Sequence, residues 1–121
     1  MKVKLLQIVN SVEALNKLAQ QPMKAVTSFE VSRNLKKISD ELAIYEQSRS
    51  DLIRKFGKED DEGQIGITPD TKEMENFQKE LGDLLNIEVD LNGFKQIKLK
   101  HLSKCELSPM EMSSLEFAIQ E

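Results

Sequence analysis

The feature that most constrains the fold is a long series of regularly spaced apolar residues in the first half of the chain. Its members are separated by steps of mostly four and three residues, and they are Val31, Leu35, Ile38, Leu42, Tyr45, Leu52 and Phe56. On a helix with about 100° between residues, these side chains and Arg49 lie within about 60° of one line. The series therefore predicts one amphipathic helix from about residue 23 to residue 56, with a coiled-coil-like seam that must pack against another part of the fold.

Three further helices are predicted from their start signals. Asn10, with Glu13 three residues later, resembles a capping box and predicts a short helix over residues 10–19. A proline in the first turn and the apolar stripe that follows it predict a helix over residues 69–86. The string Ser108-Pro109-Met110-Glu111 combines a cap, a first-turn proline and a capping-box glutamate, so a last short helix is expected to begin there.

The turn dipeptide Asn92-Gly93 predicts a small β element. Apolar and polar residues alternate on both sides of it, and both central residues of a type I′ turn require a positive φ. We therefore predict an antiparallel hairpin with strands at about 87–91 and 94–100. Together these patterns predict a single domain, residues 1–121, of mostly α (α+β) class, in which a long central helix is packed by shorter helices beside a small antiparallel β-hairpin.

The net charge of −4 is distributed unevenly along the chain. Residues 59–91 carry eleven acids against two lysines, whereas residues 92–104 carry four lysines and no acid. Alternating blocks of this kind do not make the uniformly basic face of a nucleic-acid-binding protein. We therefore predict no nucleic-acid partner.

Cysteine usage and hydropathy predict a cytoplasmic protein. The single cysteine, Cys105, permits no internal disulfide, which is typical of a reducing compartment. No stretch approaches the roughly 18 apolar residues of a transmembrane helix, and no signal peptide is recognised. We therefore predict no membrane association.

Two acidic strings provide an alternative function. Nucleotide pyrophosphohydrolases of the MazG type hold Mg²⁺ between the carboxylates of an ExxE motif and an ExxD motif. This chain has Glu59 and Glu62 followed by Glu80 and Asp83. The first pair, however, lies between two glycines and outside any apolar periodicity, which indicates an acidic loop. We therefore predict no catalytic residue, no metal ligand and no cofactor, and keep the Mg²⁺-dependent hydrolase as the alternative.

Five residues are candidates for contacts with a partner, and they are Ile44, Arg49, Lys95, Lys98 and Lys100. Ile44 points away from the seam, and the lysines form a basic patch around the predicted hairpin. Arg49 lies on the seam, where a buried charge must be paired. We predict an ion pair between Arg49 and a carboxylate of segment 70–90, with a role in register or partner binding as the alternative. Val26 and Phe29 also point away from the seam, and we predict that the first helix and the C-terminal segment cover them.

Core-type motifs recur in a distinctive order along nearly the whole chain. In the first half they are Ala14-Leu15, Leu18-Ala19, Glu41-Leu42, Tyr45-Glu46, Arg49 and Phe56-Gly57. In the second half they are Ile67, Phe77, Glu80-Leu81, Leu84-Leu85, Glu88-Val89, Leu107-Ser108-Pro109, Leu115, Phe117 and Ile119. This order resembles that of a family of small uncharacterised proteins encoded by tailed phages and prophages of Gram-positive bacteria. The resemblance implies a phage context and expression in the host cytoplasm, and it brings no functional residues to this chain.

We therefore predict a non-enzymatic phage or prophage interaction protein, either a minor assembly component or an inhibitor of a host protein. Its expected partner is a protein of the host or of the phage. Self-association along the seam into a homo-oligomer stays open, because the length of the seam alone does not decide between a folded monomer and an oligomer.

Overall fold

The computed structural model describes all 121 residues. Its helices are α1 (Leu5–Ala19), α2 (Ala25–Phe56), α3 (Lys72–Leu85) and α4 (Pro109–Ser114). Its strands are β1 (Lys2–Lys4), β2 (Lys58–Glu59), β3 (Ile65–Gly66), β4 (Glu88–Asp90), β5 (Ile97–Lys98) and β6 (Ile119–Gln120). Two 3₁₀ turns cover Leu99–Leu102 and Glu116–Ala118. No helix combines the length and the apolar character needed to cross a bilayer. The predicted class, mostly α with a long central helix and a small antiparallel hairpin, is confirmed.

Helix α2 is the predicted central helix. It is continuous over 32 residues, or about 48 Å, because no glycine or proline interrupts it. Its seam faces the core, where Val31, Ile38 and Tyr45 are buried. Both α1 and α3 pack against α2, and other elements of the same chain bury its seam as far as Tyr45. The prediction of one continuous helix from about residue 23 to residue 56 is confirmed, with its first residue at Ala25.

Helix α2 ends at Phe56, and the extended residue that follows it, Gly57, lies where a side chain has no room. The Gly57 amide donates to the carbonyl oxygen of Ile53 at 2.7 Å. A Cβ atom on residue 57 would lie 2.5 Å from that oxygen and 2.8 Å from Cγ2 of Ile65. The glycine therefore lets the chain pass directly from the helix into β2 and approach β3.

Helix α1 begins five residues earlier than its predicted cap. Oε1 of Gln7 accepts a hydrogen bond of 2.8 Å from the Lys4 amide, so the helix is capped before Leu5. Leu5 and Ile8 are both buried, which extends the apolar face of the helix into this first part. The predicted start at Asn10 is therefore wrong, and Asn10 lies exposed within the helix.

Helix α3 begins three residues later than predicted. Asp70 has a left-handed φ of 59°, which ends any helix that would start at Pro69. Thr71 then caps the helix, since its Oγ1 accepts a hydrogen bond of 3.2 Å from the Met74 amide. Helix α4, by contrast, begins at its predicted proline with the Ser108 cap in place.

The predicted hairpin around Asn92-Gly93 is wrong. Strand β4 pairs antiparallel with β1, whereas β5 pairs in parallel with β6. A turn does form, because the Phe94 amide donates to the Leu91 carbonyl oxygen at 3.2 Å. Within it only Gly93 has a positive φ, of 78°, whereas a type I′ turn needs two such residues. The turn therefore leads the chain away from β4 instead of back along it.

The antiparallel hairpin of this protein lies at the acidic loop instead. Strands β2 and β3 pair with Glu59 opposite Ile65. Between them, Oδ1 of Asp60 accepts hydrogen bonds of 2.9 Å from the amides of Glu62 and Gln64. The loop is thus closed by its own backbone and one aspartate.

Two amide side chains fasten segment 95–106 to the helical core. Nδ2 of Asn34 donates to the Lys95 carbonyl oxygen at 2.6 Å, and its Oδ1 accepts from the Lys95 amide at 3.1 Å. Gln21 does the same for Glu106, with both hydrogen bonds at 2.6 Å. We call these the Asn34 clamp and the Gln21 clamp. Because both ends of the segment are held, its lysines project from a fixed backbone.

The start of α4 is expected to make the stability depend on pH. Oε1 of Glu111 accepts hydrogen bonds from the Ser108 amide at 2.8 Å and from Nζ of Lys17 at 2.9 Å. The backbone hydrogen bond, and after it the bond to Lys17, lower the pKa of Glu111. A carboxylate with a lowered folded-state pKa stabilises the fold above its unfolded pKa, and this contribution is lost as the pH falls through the folded pKa.

Replacing Glu111 with glutamine keeps an acceptor for the Ser108 amide and removes the charge. We expect a lower Tm than that of the wild type at neutral pH, and a difference that closes as the pH falls below about 4. Thermal melts of both proteins across this range check the prediction. A difference in Tm that does not change with pH would contradict it.

Candidate interaction surface

The outer face of α2 near its N-terminus carries two large apolar side chains that nothing covers. Val26 is 74% exposed and Phe29 is 64% exposed. The prediction that the first helix and the C-terminal segment pack on them is wrong. The helical rotation that turns Thr27 and Val31 into the core necessarily turns Val26 and Phe29 towards solvent.

Phe29 lines an open groove with basic side chains around it. The guanidinium carbon of Arg33 lies 5.9 Å from the centroid of the Phe29 ring, which is a cation–π distance. Lys95, whose backbone is held by the Asn34 clamp, lines the same groove, and the groove has a volume of about 310 Å³. Glu30 is the one acidic residue in the lining. The Phe29 groove, as we call it, therefore combines exposed apolar side chains with a net positive charge.

The candidate residues named from the sequence do not form one patch. Lys95 lies in the Phe29 groove, whereas Lys98 lies exposed on β5. Lys100 lies in the first 3₁₀ turn and lines a different cavity near the start of α2. Ile44 is 63% exposed, but it lies roughly 22 Å from Phe29 along the helix at 1.5 Å per residue. Of these four, only Lys95 lines the groove beside Phe29.

Arg49 does not make the predicted ion pair. Its side chain is exposed, and it takes part in none of the five ion pairs of the protein. Lys55 makes the contact with α3 instead, with Nζ 3.1 Å from Oε1 of Glu80. Beyond Tyr45 no residue of α2 is fully buried, so a charge at residue 49 reaches solvent without a partner.

The four carboxylates of the hydrolase motif are not arranged as that chemistry requires. Glu59 lies in the two-residue strand β2 and Glu62 in the turn after it, so the first pair is not on a helix. Glu80 lies on α3, but its carboxylate accepts a hydrogen bond from Nζ of Lys55. No group of three or more histidine, cysteine, aspartate or glutamate side chains is placed to hold a metal ion.

Cys105 is a packing residue. Its side chain is half-buried against the core, and burial raises the pKa of the thiol above its usual range. The thiol therefore stays protonated at neutral pH, which is the inert form.

Sequence reasoning missed the Phe29 groove, although part of its signal was present. The angular positions of Val26 and Phe29, opposite the seam, already marked them as outward-facing. The presence of Lys95 beside Phe29 had no local signal, because 66 residues separate them and the Asn34 clamp that joins their elements is a tertiary contact.

Comparison with known proteins gives no assignment of function. No protein-family model, curated protein or solved structure matches the chain significantly. The function must therefore be inferred from the residues of this chain.

Proposed function

We propose that this protein is a non-enzymatic interaction protein that receives an acidic, partly apolar segment of another protein in the Phe29 groove. The observation that carries the proposal is the exposed aromatic ring of Phe29, which lies at a cation–π distance from the Arg33 guanidinium on an accessible helix face. Aromatic residues and arginine are enriched at protein interfaces, and a few such residues supply most of the binding energy.

Charge complementarity favours an acidic partner. The chain as a whole has a net charge of −4, yet Arg33 and Lys95 outnumber Glu30 in the groove. A segment with one or two apolar side chains and flanking carboxylates fits both the ring and the two cations. Since the Asn34 clamp already fixes the backbone of Lys95, little conformational freedom of this segment is lost when a partner binds.

The biological setting is part of the same proposal and rests on the sequence resemblance. We place the protein in the cytoplasm of a Gram-positive host, encoded by a phage or prophage. There it acts either as a minor assembly component or as an inhibitor, through one host or phage protein.

Site-specific photo-crosslinking tests which face meets the partner. Phe29 is replaced with a photoreactive phenylalanine derivative, which keeps an aromatic ring at that position, and the protein is irradiated in lysate of phage-infected host cells. The matched control carries the same derivative at Ile44, which is equally exposed on the same helix. We expect an adduct from position 29 and none from position 44.

The crosslinked peptide is then identified by mass spectrometry, and the complex is rebuilt from purified proteins. The proposal expects a peptide with acidic residues on either side of an apolar one, and a rebuilt complex that weakens at high salt. An adduct that forms only at position 44, a lysine-rich crosslinked peptide, or an adduct with a second copy of this chain would each contradict it.

A further inference from the structure

A second cavity, of about 560 Å³, lies where the start of α2 meets segment 95–106. Lys24, Lys100, His101 and Lys104 contribute to its lining, and no acidic residue does. None of the three lysines takes part in an ion pair. Three unpaired cations around one cavity, in a chain with a net charge of −4, make a local site that attracts anions.

The start of α2 supplies free backbone donors beside this cavity, whose lining includes Lys24 and Thr27. The amides of Ala25, Val26 and Thr27 donate to no group of the protein, and the first helical hydrogen bond runs from the Ser28 amide to the Lys24 carbonyl oxygen. No side chain caps this end, and the first turn contains no acidic residue. The positive end of the helix dipole and its free amides therefore remain available to an anion.

The hydroxyl of Thr27 is a second and independent sign of a ligand. Thr27 is only 6% exposed and lines this cavity, and none of the side-chain hydrogen bonds of the protein involves its hydroxyl. No buried side-chain oxygen or nitrogen is sealed away without a partner, so this hydroxyl keeps an opening to solvent. A nearly buried hydroxyl beside free amides and lysines can donate its proton to an oxygen of a bound anion.

We infer that this cavity, which we call the Lys24 cavity, binds the phosphate groups of a small phosphorylated ligand. The amides at the start of α2 and the Thr27 hydroxyl donate to phosphate oxygens, and Lys24, Lys100 and Lys104 neutralise their charge. The Gln21 clamp and the Asn34 clamp hold the two ends of segment 95–106, so its lysines are positioned before the ligand arrives. The volume lies in the range of small-molecule sites.

The lining also indicates which part of the ligand is recognised. Met23 is its one clearly apolar residue, and the lining contains no phenylalanine, tyrosine or tryptophan, so the imidazole of His101 is the only ring that could contact a base. We therefore expect the site to recognise the phosphate groups of its ligand, and an attached nucleoside to add little to the affinity. This inference does not rest on the Phe29 groove, because none of the cationic side chains of the Lys24 cavity lines that groove.

Titration of the ¹⁵N-labelled protein with pyrophosphate at low ionic strength tests the site. We expect the largest shifts at the amides of residues 25–27, and we expect tripolyphosphate and metal-free ATP to bind with equal affinity. Lys24→Gln and Lys104→Gln should each weaken binding by about three- to tenfold, since each removes a charge-assisted hydrogen bond. Thr27→Val, which preserves the shape of the side chain, should weaken it by a similar factor.

Lys98→Gln is the matched control, because Lys98 belongs to the same basic segment but does not line the cavity. It should change the affinity less than about twofold, as should Phe29→Ala, which affects only the proposed protein interface. No binding at about 10 mM pyrophosphate would overturn the inference. So would equal weakening by Lys98→Gln and Lys104→Gln, or ATP binding tenfold tighter than tripolyphosphate. Lys24 and Lys104 are exposed, so their variants fold and remain informative even if Thr27→Val does not.

Discussion

Ile38→Ala is expected to destabilise the protein by about 2–5 kcal/mol. Ile38 lies at the middle of the α2 seam and has no exposed surface. Its truncation removes buried methyl and methylene groups and leaves a cavity in the core. Urea unfolding followed by circular dichroism measures the change, as a lower midpoint at an unchanged slope.

Ile44→Ala is the matched control for this prediction. The same substitution is made six residues further along the same helix, at a side chain that is 63% exposed. We expect a change within about ±0.5 kcal/mol, because little buried surface is lost and alanine favours the helix slightly. Equal losses for the two variants would mean that the core does not lie along the seam.

Asn34→Ala is expected to cost about 2–4 kcal/mol. Asn34 is 3% exposed, and its side chain satisfies both the amide and the carbonyl of Lys95. Its removal leaves two partly buried backbone groups without a partner, and each such group costs about 1–3 kcal/mol. The higher helix propensity of alanine offsets only about half a kcal/mol of this loss.

The control for the Asn34 clamp is Asn76→Ala on α3, where the asparagine is exposed and makes no side-chain hydrogen bond. It should change the free energy of unfolding by less than about 0.5 kcal/mol. Hydrogen exchange adds a local readout, because the Lys95 amide should lose its protection in Asn34→Ala and keep it in Asn76→Ala. Unchanged protection in both variants would show that the clamp is not formed in solution.

The central helix was predictable because its signal is local and repeated. The period of about 3.6 residues between Val31 and Phe56 needs no knowledge of the rest of the fold, and the Ser108 capping box acts in the same way at α4. The start of α1 was missed because Gln7 provides its cap in place of a serine or threonine, so the usual start signal was absent.

The pairing of the strands was not predictable from the sequence in the same way. Alternation around Asn92-Gly93 identified β4 and the turn, but the partner of β4 is β1, about 85 residues away in the chain. Hydrogen bonds between distant strands have no local signature in the sequence. At the turn itself only Gly93 has a positive φ, so the type I′ geometry that a two-residue hairpin needs is absent. The acidic loop does form a hairpin, although its sequence shows only a weak alternation of apolar and polar residues at Ile65.

The candidate functional residues also differ in whether local sequence or tertiary contacts determine their surroundings. The outward direction of Val26, Phe29 and Ile44 follows from helix geometry alone. The basic neighbour Arg33 of Phe29 is also local, but its second basic neighbour, Lys95, depends on where segment 95–106 docks, and that is set by the tertiary contacts of Asn34 and Gln21. Burial of Arg49 was predicted wrongly from its position on the seam. No residue of α2 beyond Tyr45 is fully buried, so the side chain of Arg49 reaches solvent.

The dissociation constant of the complex with the crosslinked partner, measured by isothermal titration calorimetry for Phe29→Ala and for Ile44→Ala, tests the proposed function most directly. If the Phe29 groove is the docking surface, Phe29→Ala raises this constant at least tenfold, the effect expected when an aromatic residue that dominates an interface is truncated. Ile44→Ala should change it less than about twofold. Equal dissociation constants for the two variants, or a larger loss for Ile44→Ala, would contradict the assignment of the partner to this groove.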